Sequence, residues 1–403
     1  MFRHRTLLAV SLVVAVSFTG IGMVVPVRIL YAQAHGASLA VIGAMASAFL
    51  LANFLFQYPT GWLADRWGRR PILMASLAVQ VVLAFAYLAV VDPLTFVVLR
   101  FVEGAVAAGV LPSARALITD SVAPERRGEA FGIFGASLNA GFLVGPALGG
   151  LVASWGYASA FVGAGLLRFV AMLIVLFAVR DERRDHREEH SWAVALPWRA
   201  LLTPAILGTC ILALGDNIFF GFDLTLMPLW LRGHLGASVA AIGLGYAVWA
   251  LPNILVAPYG GRLADRLRRS GVILACGLAQ VPLYASYGVL TALLPVIALF
   301  GVHGLVYGLM QPSVDATLAT ASPPQARARV QGAYSAVGLA SAFVSANTLS
   351  ALYALDYRLP LFVMAAGFGF CVLVGGTLIR LAERRSDSAA LSMAPTAIDS
   401  AAR

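Results

Sequence analysis

The chain has 403 residues, of which 60% are hydrophobic and only 12% charged, and its formal net charge is +9. A soluble protein keeps roughly a quarter of its residues charged, which excludes a water-exposed globular surface for most of this chain. All 28 basic residues are Arg; most sit in short loops between apolar runs, which points to orientation in a bilayer and not to nucleic acid.

Runs long enough to cross a hydrocarbon core, about 17–25 residues each, predict twelve helices. They cover 6–31, 39–60, 71–91, 94–116, 128–154, 159–180, 203–231, 239–260, 271–290, 293–319, 328–354 and 359–380. The first opens on Arg3, His4 and Arg5, as a signal peptide does. It exceeds a typical signal core, contains Pro26 and lacks a small-x-small site before a polar domain, so it reads as a permanent helix. Cys210, Cys276 and Cys371 fall in separate runs with no metal or redox spacing, and packing is their expected role.

One set of loops carries Arg66, Arg69, Arg70, Arg126, Arg127, Arg262, Arg266, Arg268, Arg269, Arg327 and Arg329, together with the polar stretch 180–190. Arg3, Arg5, Arg384 and Arg385 place both termini on that side. The alternate loops hold little beyond Arg232 and Arg358. The Arg-rich side is therefore expected to be cytoplasmic, in a plasma (inner) membrane protein. Residues 181–199 read as a cytoplasmic linker between a six-helix unit at 1–180 and another at 200–385. Residues 386–403 read as a disordered tail.

A shift of 200 residues aligns the two units. Gly36, Ala37 and Ser38 match Gly236, Ala237 and Ser238, and Ile42, Gly43 and Asn53 match Ile242, Gly243 and Asn253. Gly61, Leu63, Ala64, Asp65 and Arg66 match Gly261, Leu263, Ala264, Asp265 and Arg266. Gly104, Pro112, Ser113, Pro124, Arg127 and Gly132 match Gly304, Pro312, Ser313, Pro324, Arg327 and Gly332. Polar loop matches in one register imply parallel repeats about an axis along the membrane normal. The fold class is an all-α membrane protein: twelve transmembrane helices in two pseudo-symmetric six-helix bundles, with substrate between them at the midplane.

The loop after the second span reads Gly61-Trp62-Leu63-Ala64-Asp65-Arg66-Trp67-Gly68-Arg69-Arg70. This resembles the signature G-x-L-a-D-r-x-G-r-R/K of the major facilitator superfamily, and a degraded copy containing Asp265 sits at 261–269. The resemblance covers nearly the whole chain. It implies a cytoplasmic latch: Gly61 permits close helix approach, and Asp65 faces the N-terminus of span 11, where the helix dipole favours an anion. Arg69 or Arg70 would then pair with Asp120. In span five, Gly141, Gly145, Pro146, Gly149 and Gly150 resemble the G-x-x-x-G-P-x-x-G-G motif of the superfamily's antiporter branch. Glycines four apart share a face and admit close packing. Residues 20–26 (Gly-Ile-Gly-Met-Val-Val-Pro) look like the first helix of drug:proton antiporters with about twelve spans.

Ionisable residues at membrane depth mark a cavity, a pair or a proton path. Arg28, Arg100, Glu103, Asp216, Asp223 and His303 fall on spans 1, 4, 7 and 10, which line the central cavity in the superfamily fold. Arg168 in span 6 is the exception and receives no role. Arg100 and Glu103, three apart, share a helix face, and Arg100 to Gly104 fits the superfamily's R-x-x-x-G proton-coupling motif. They read either as that device or as a self-neutralising pair. Asp216 and Asp223, seven apart, lie within about 20° of one face and are candidates for carrying a proton or binding a cation. Asp223 also reads as a cap where the helix breaks near Pro228. Glu103 and His303 occupy equivalent repeat positions, as do Arg115 and Asp315, which are expected to pair across the halves when the cytoplasmic side closes.

The combined reading is a secondary active transporter working by alternating access, a proton-coupled exporter of small amphipathic or drug-like molecules. Phe18, Phe219, Phe220, Phe222, Trp249 and Tyr307 are candidates for an apolar wall. An importer or uniporter of a sugar, amino acid or organic anion is the rival on the same fold. No H-E-x-x-H, G-x-S-x-G or phosphate-binding loop is present, so neither an enzyme nor an ATP-driven pump is expected, and no cofactor or metal. The expected partners are a small-molecule substrate, protons and lipid, with the protein a monomer.

Overall fold

The computed structural model describes residues 2–90, 92–122, 127–179, 202–323 and 326–393. Twelve helices among them are long and apolar enough to cross a membrane. In the first half these are α1 (Phe2–Ala34), α2 (Leu39–Trp67), α3 (Arg69–Ala86), α4 (Pro93–Ala107, then Val110–Ser121), α5 (Arg127–Val152) and α6 (Tyr157–Ala178). In the second they are α7 (Pro204–Thr225, then Met227–Leu235), α8 (Val239–Arg266), α9 (Arg269–Tyr287), α10 (Leu293–Ala321), α11 (Arg327–Leu355) and α12 (Leu359–Met393).

The starts are set by short polar residues that accept from the first free N–H groups. Ser38 Oγ accepts from Val41 N–H at 3.3 Å, and its repeat partner Ser238 accepts from Ala241 N–H at 3.1 Å. Gly68, at φ 99°, ends α2 and begins α3 in one residue, a conformation that a side chain would strain. The break in α7 falls at Leu226, because Pro228 has no N–H to continue the ladder and settles into the first turn of the next segment. Apolar length set the expected spans, so the ends that run on past the core were missed: α2 to Trp67, α8 to Arg266 and α12 to Met393. The last corrects the expected disorder over 386–393 alone: no Gly or Pro follows Gly376 in the helix, and its ladder continues to Met393. The linker at 181–199 and residues 394–403 lie outside the described residues.

Packing repeats at the same shift of 200 residues. The pairs α1–α5, α1–α6, α2–α4 and α3–α6 recur as α7–α11, α7–α12, α8–α10 and α9–α12. Gly104 lies under the Phe49 carbonyl, and Gly304 lies under the Trp249 carbonyl. Arg69 Nη1 donates to Ala116 O at 2.9 Å, and Arg269 Nη1 to Ala316 O at 3.1 Å. The halves meet along α5–α8 and α2–α11, again as equivalents. Gly243 touches the Pro146 carbonyl, Gly43 touches the Ala346 carbonyl, and Asn347 Nδ2 donates to Ser47 Oγ at 2.5 Å.

These junctions lie toward the Arg-poor ends of the helices. One buried cluster there joins Val24, Val27 and Leu30 of α1 to Phe222, Leu226 and Trp230 of α7. At the Arg-rich ends the two halves keep separate clusters, Leu73, Leu77 and Leu117 in one and Leu318, Ala326 and Val330 in the other. Among the described residues, the halves share a buried core at the Arg-poor face and are parted at the Arg-rich face.

The span-five glycines explain part of that closure. Gly141 and Gly145 press on Ala15, Thr19 and Gly22 of α1, Gly149 lies on the Met23 backbone, and Gly150 faces Val239 and Gly243 across the halves. A Gly149→Ala variant is expected to lose about 1–3 kcal/mol by overpacking. Gly61 has open space where its Cβ would be, so Gly61→Ala is expected to be neutral or to gain about 0.5–1 kcal/mol of helix propensity. Thermal melting of the detergent-purified variants measures both.

Candidate functional site

Three arginines converge on one carboxylate in the first half. Arg28 Nη2 from α1 donates to Glu103 Oε1 at 3.0 Å, and Arg100 Nη1 from the same helix as Glu103 donates to Oε2 at 3.0 Å. Arg168 of α6, which the spacing left without a role, places Nη2 3.7 Å from Oε1. Tyr87 Oη completes the shell, donating to Oε2 at 3.1 Å. All four charged residues are at most 6% exposed. The expected self-neutralising pair is therefore corrected: three guanidinium groups surround one carboxylate, an excess of two positive charges. Aromatic faces take up part of it, with Arg100 4.1 Å from the Phe49 ring centroid and Arg28 5.7 Å from that of Tyr87.

The second half answers with acids and aromatic rings. Asp216, half-buried in α7, accepts from Tyr307 Oη of α10 at 3.2 Å. Asp223 lies two turns on, half-buried, with the Tyr246 phenol of α8 beside it. Asp315, exposed toward the Arg-rich opening, accepts from Gln311 Nε2 at 3.1 Å and lies within electrostatic range of Asp216. Three acids thus run inward from the parted face, and spacing alone had assigned Asp315 to a gate. His303 is 1% exposed and ringed by Phe219, Trp249, Tyr284 and Tyr287. Its Nδ1 meets Tyr287 Oη at 3.3 Å, the equivalent of Tyr87 on Glu103. Of the expected apolar wall, Trp249 and Tyr307 meet at a tilt with ring centroids 5.5 Å apart, whereas Phe222 is wholly buried in the core and Phe18 packs edge-on to Phe142.

Arg70 caps the end of α6, its Nη2 donating to Leu176 O at 2.6 Å and its Nε to Val175 O at 3.3 Å. Orphan carbonyls at a helix end attract a guanidinium, and the expected pairing of Arg69 or Arg70 with Asp120 rests on a side chain outside the described residues. Arg66 lies over the Trp62 ring and Asp265 is exposed. The side chains of Asp65 and Asp120 lie outside the described residues. Arg115 sits over the Phe134 ring of its own half, so it and Asp315 are not brought together while the Arg-rich face is parted.

Tyr87 was missed from sequence, although its repeat match to Tyr287 was available. Arg168 was seen and left unplaced, because a helix's rotational setting is not in its spacing.

Comparison with known proteins places these features in context. The model of the Major Facilitator Superfamily matches residues 10–227 and 218–397. The quinolone resistance protein NorA of Staphylococcus aureus (strain MRSA252) is 30% identical over 208 residues, 50% of this chain and 53% of that protein. An uncharacterized MFS-type transporter of Methanocaldococcus jannaschii, MJ1560, is 32% identical over 164 residues, 40% of this chain and 42% of the other. The chain thus spans about half the length, or less, of these curated relatives. Among solved structures, a bacterial homolog of the human lysosomal transporter Spinster, inward-facing and unoccupied, superposes with a TM-score of 0.77 at 16% identity, covering 94% of this chain and 97% of that one. The nucleoside transporter NupG gives 0.75 at 13% identity, covering 93% and 98%.

Proposed function

Because this chain belongs to the Major Facilitator Superfamily, we propose that it is a proton-coupled exporter of small amphipathic molecules, working by alternating access in the plasma membrane. The row of acids Asp315, Asp216 and Asp223 carries the reading. Asp216 and Asp223 lie on α7, which meets α1 and α2 of the other half, and the row begins with the exposed Asp315 toward the parted, Arg-rich face. By the charge of its loops that face is cytoplasmic. A carboxyl at such depth exchanges its proton with whichever side the cavity opens to. Substrate entering from the cytoplasm would displace that proton, and closure of the Arg-rich face would carry the substrate outward. The similarity to a quinolone resistance protein over half the chain supports export of a drug-like aromatic compound.

Reconstituted proteoliposomes with an imposed pH gradient test this. Addition of a fluoroquinolone is expected to draw protons across the membrane against the movement of the drug, reported by an internal pH dye. Drug flux that ignores the gradient would remove proton coupling and leave the transporter in place. The excess of positive charge around Glu103 favours a second reading, organic-anion uptake or exchange, in which flux follows the anion gradient alone.

A further inference from the structure

We propose that Arg28, Arg100 and Arg168 form an anion-recognising subsite that engages a carboxylate on the transported molecule. The inference rests on reading the space between the halves as the transport path, but not on proton coupling or on direction.

A structural ion pair needs one acid for each base. Here Glu103 has three guanidinium partners within 3.7 Å. Its two oxygens accept from Arg28, Arg100 and Tyr87, which leaves Arg28 Nε and both Arg168 Nε and Nη2 buried without a hydrogen-bond partner. Buried donors of this kind are uncommon, and charged ones are costly. The surplus also has an outlet. A small void of about 10 Å³ between the halves is lined by Arg28 and Arg100, though not by Arg168, together with Met45 of α2 and Leu224 of α7, and a ligand would enter as the halves move apart around it. Leu224 is the contribution of the second half to its lining. A carboxylate placed there would receive charge-assisted hydrogen bonds from a planar fork suited to it. The equivalent position in the second half is built otherwise: His303 replaces Glu103 within a cage of rings. The subsite therefore belongs to one half, and the molecule it takes has an anionic end and an apolar body.

Dansylglycine and dansylglycinamide share an aromatic body and differ in a carboxylate against a neutral amide. Binding is measured by fluorescence to the full chain in phosphatidylcholine nanodiscs at one pH with no gradient. The carboxylate is expected to bind about tenfold tighter or more. Arg28→Gln is expected to bring the ratio toward one. Glu103→Gln removes the competing acceptor and is expected to raise the ratio, which a merely structural cluster would not do. Should a variant fold poorly, competition in the parent protein decides: benzoate is expected to displace the probe and benzamide not. Equal binding of the two dansyl compounds would overturn the subsite. So would loss of the preference in physiological chloride or on adding phosphatidylglycerol, which would assign the arginines to an inorganic ion or a lipid headgroup. Because no proton gradient is present, failure here is distinguishable from failure of proton coupling.

Discussion

Asp216→Asn is expected to abolish uphill export while leaving substrate binding measurable. Asn keeps the size of the side chain and an oxygen that accepts from Tyr307, whose hydroxyl lies 3.2 Å from Asp216 in the parent. What it loses is the ability to take and release a proton. A gradient can bias a conformational equilibrium only through a group that interacts differently with it in the two states. With Asn at 216, the proton gradient has no purchase, and the accumulation ratio in proteoliposomes should fall to about one. Counterflow exchange, which needs alternation but no proton, should persist. Loss of both together would place Asp216 in folding or in substrate contact, whereas retention of uphill transport would move the proton to Asp223 or Asp315.

The arginine cluster predicts stability changes of opposite sign. Glu103→Gln leaves three buried guanidinium groups without their shared anion, and stability is expected to fall by about 3–5 kcal/mol. Arg168→Met removes the guanidinium with the longest contact to Glu103, 3.7 Å against 3.0 Å for the other two. The remaining two arginines still satisfy the carboxylate, and the thioether fills much of the volume. Stability is expected to hold or to rise by about 1 kcal/mol. Melting curves of the two variants in one detergent compare them directly. A large loss in Arg168→Met would mean that its guanidinium is compensated in a way the present geometry does not contain.

The same cluster marks where linear reading stops. Arg28, Arg100, Glu103 and Arg168 were all visible as ionisable residues inside apolar runs, because charge at membrane depth is rare enough to identify itself. Their union was not visible, because α1, α4 and α6 bring them together from positions up to 140 residues apart (Arg28 to Arg168). Arg70 shows the same from the loop side: its guanidinium reaches the carbonyls ending α6 across 105 residues of chain, a contact no local pattern contains.

What the sequence by itself determined was the element count, the membrane class and the twofold repeat. Apolar run length reports on a slab of fixed thickness, and a shift of 200 residues reports on duplicated packing. Gly104 and Gly304 under equivalent carbonyls, and Tyr87 and Tyr287 on equivalent partners, are that shift made physical. Tertiary structure alone decided which face is parted, which partners the acids meet, and that three arginines share one glutamate. Those properties depend on the rotation and tilt of each helix. Packing against several neighbours at once sets these angles, and no local pattern along the chain encodes them.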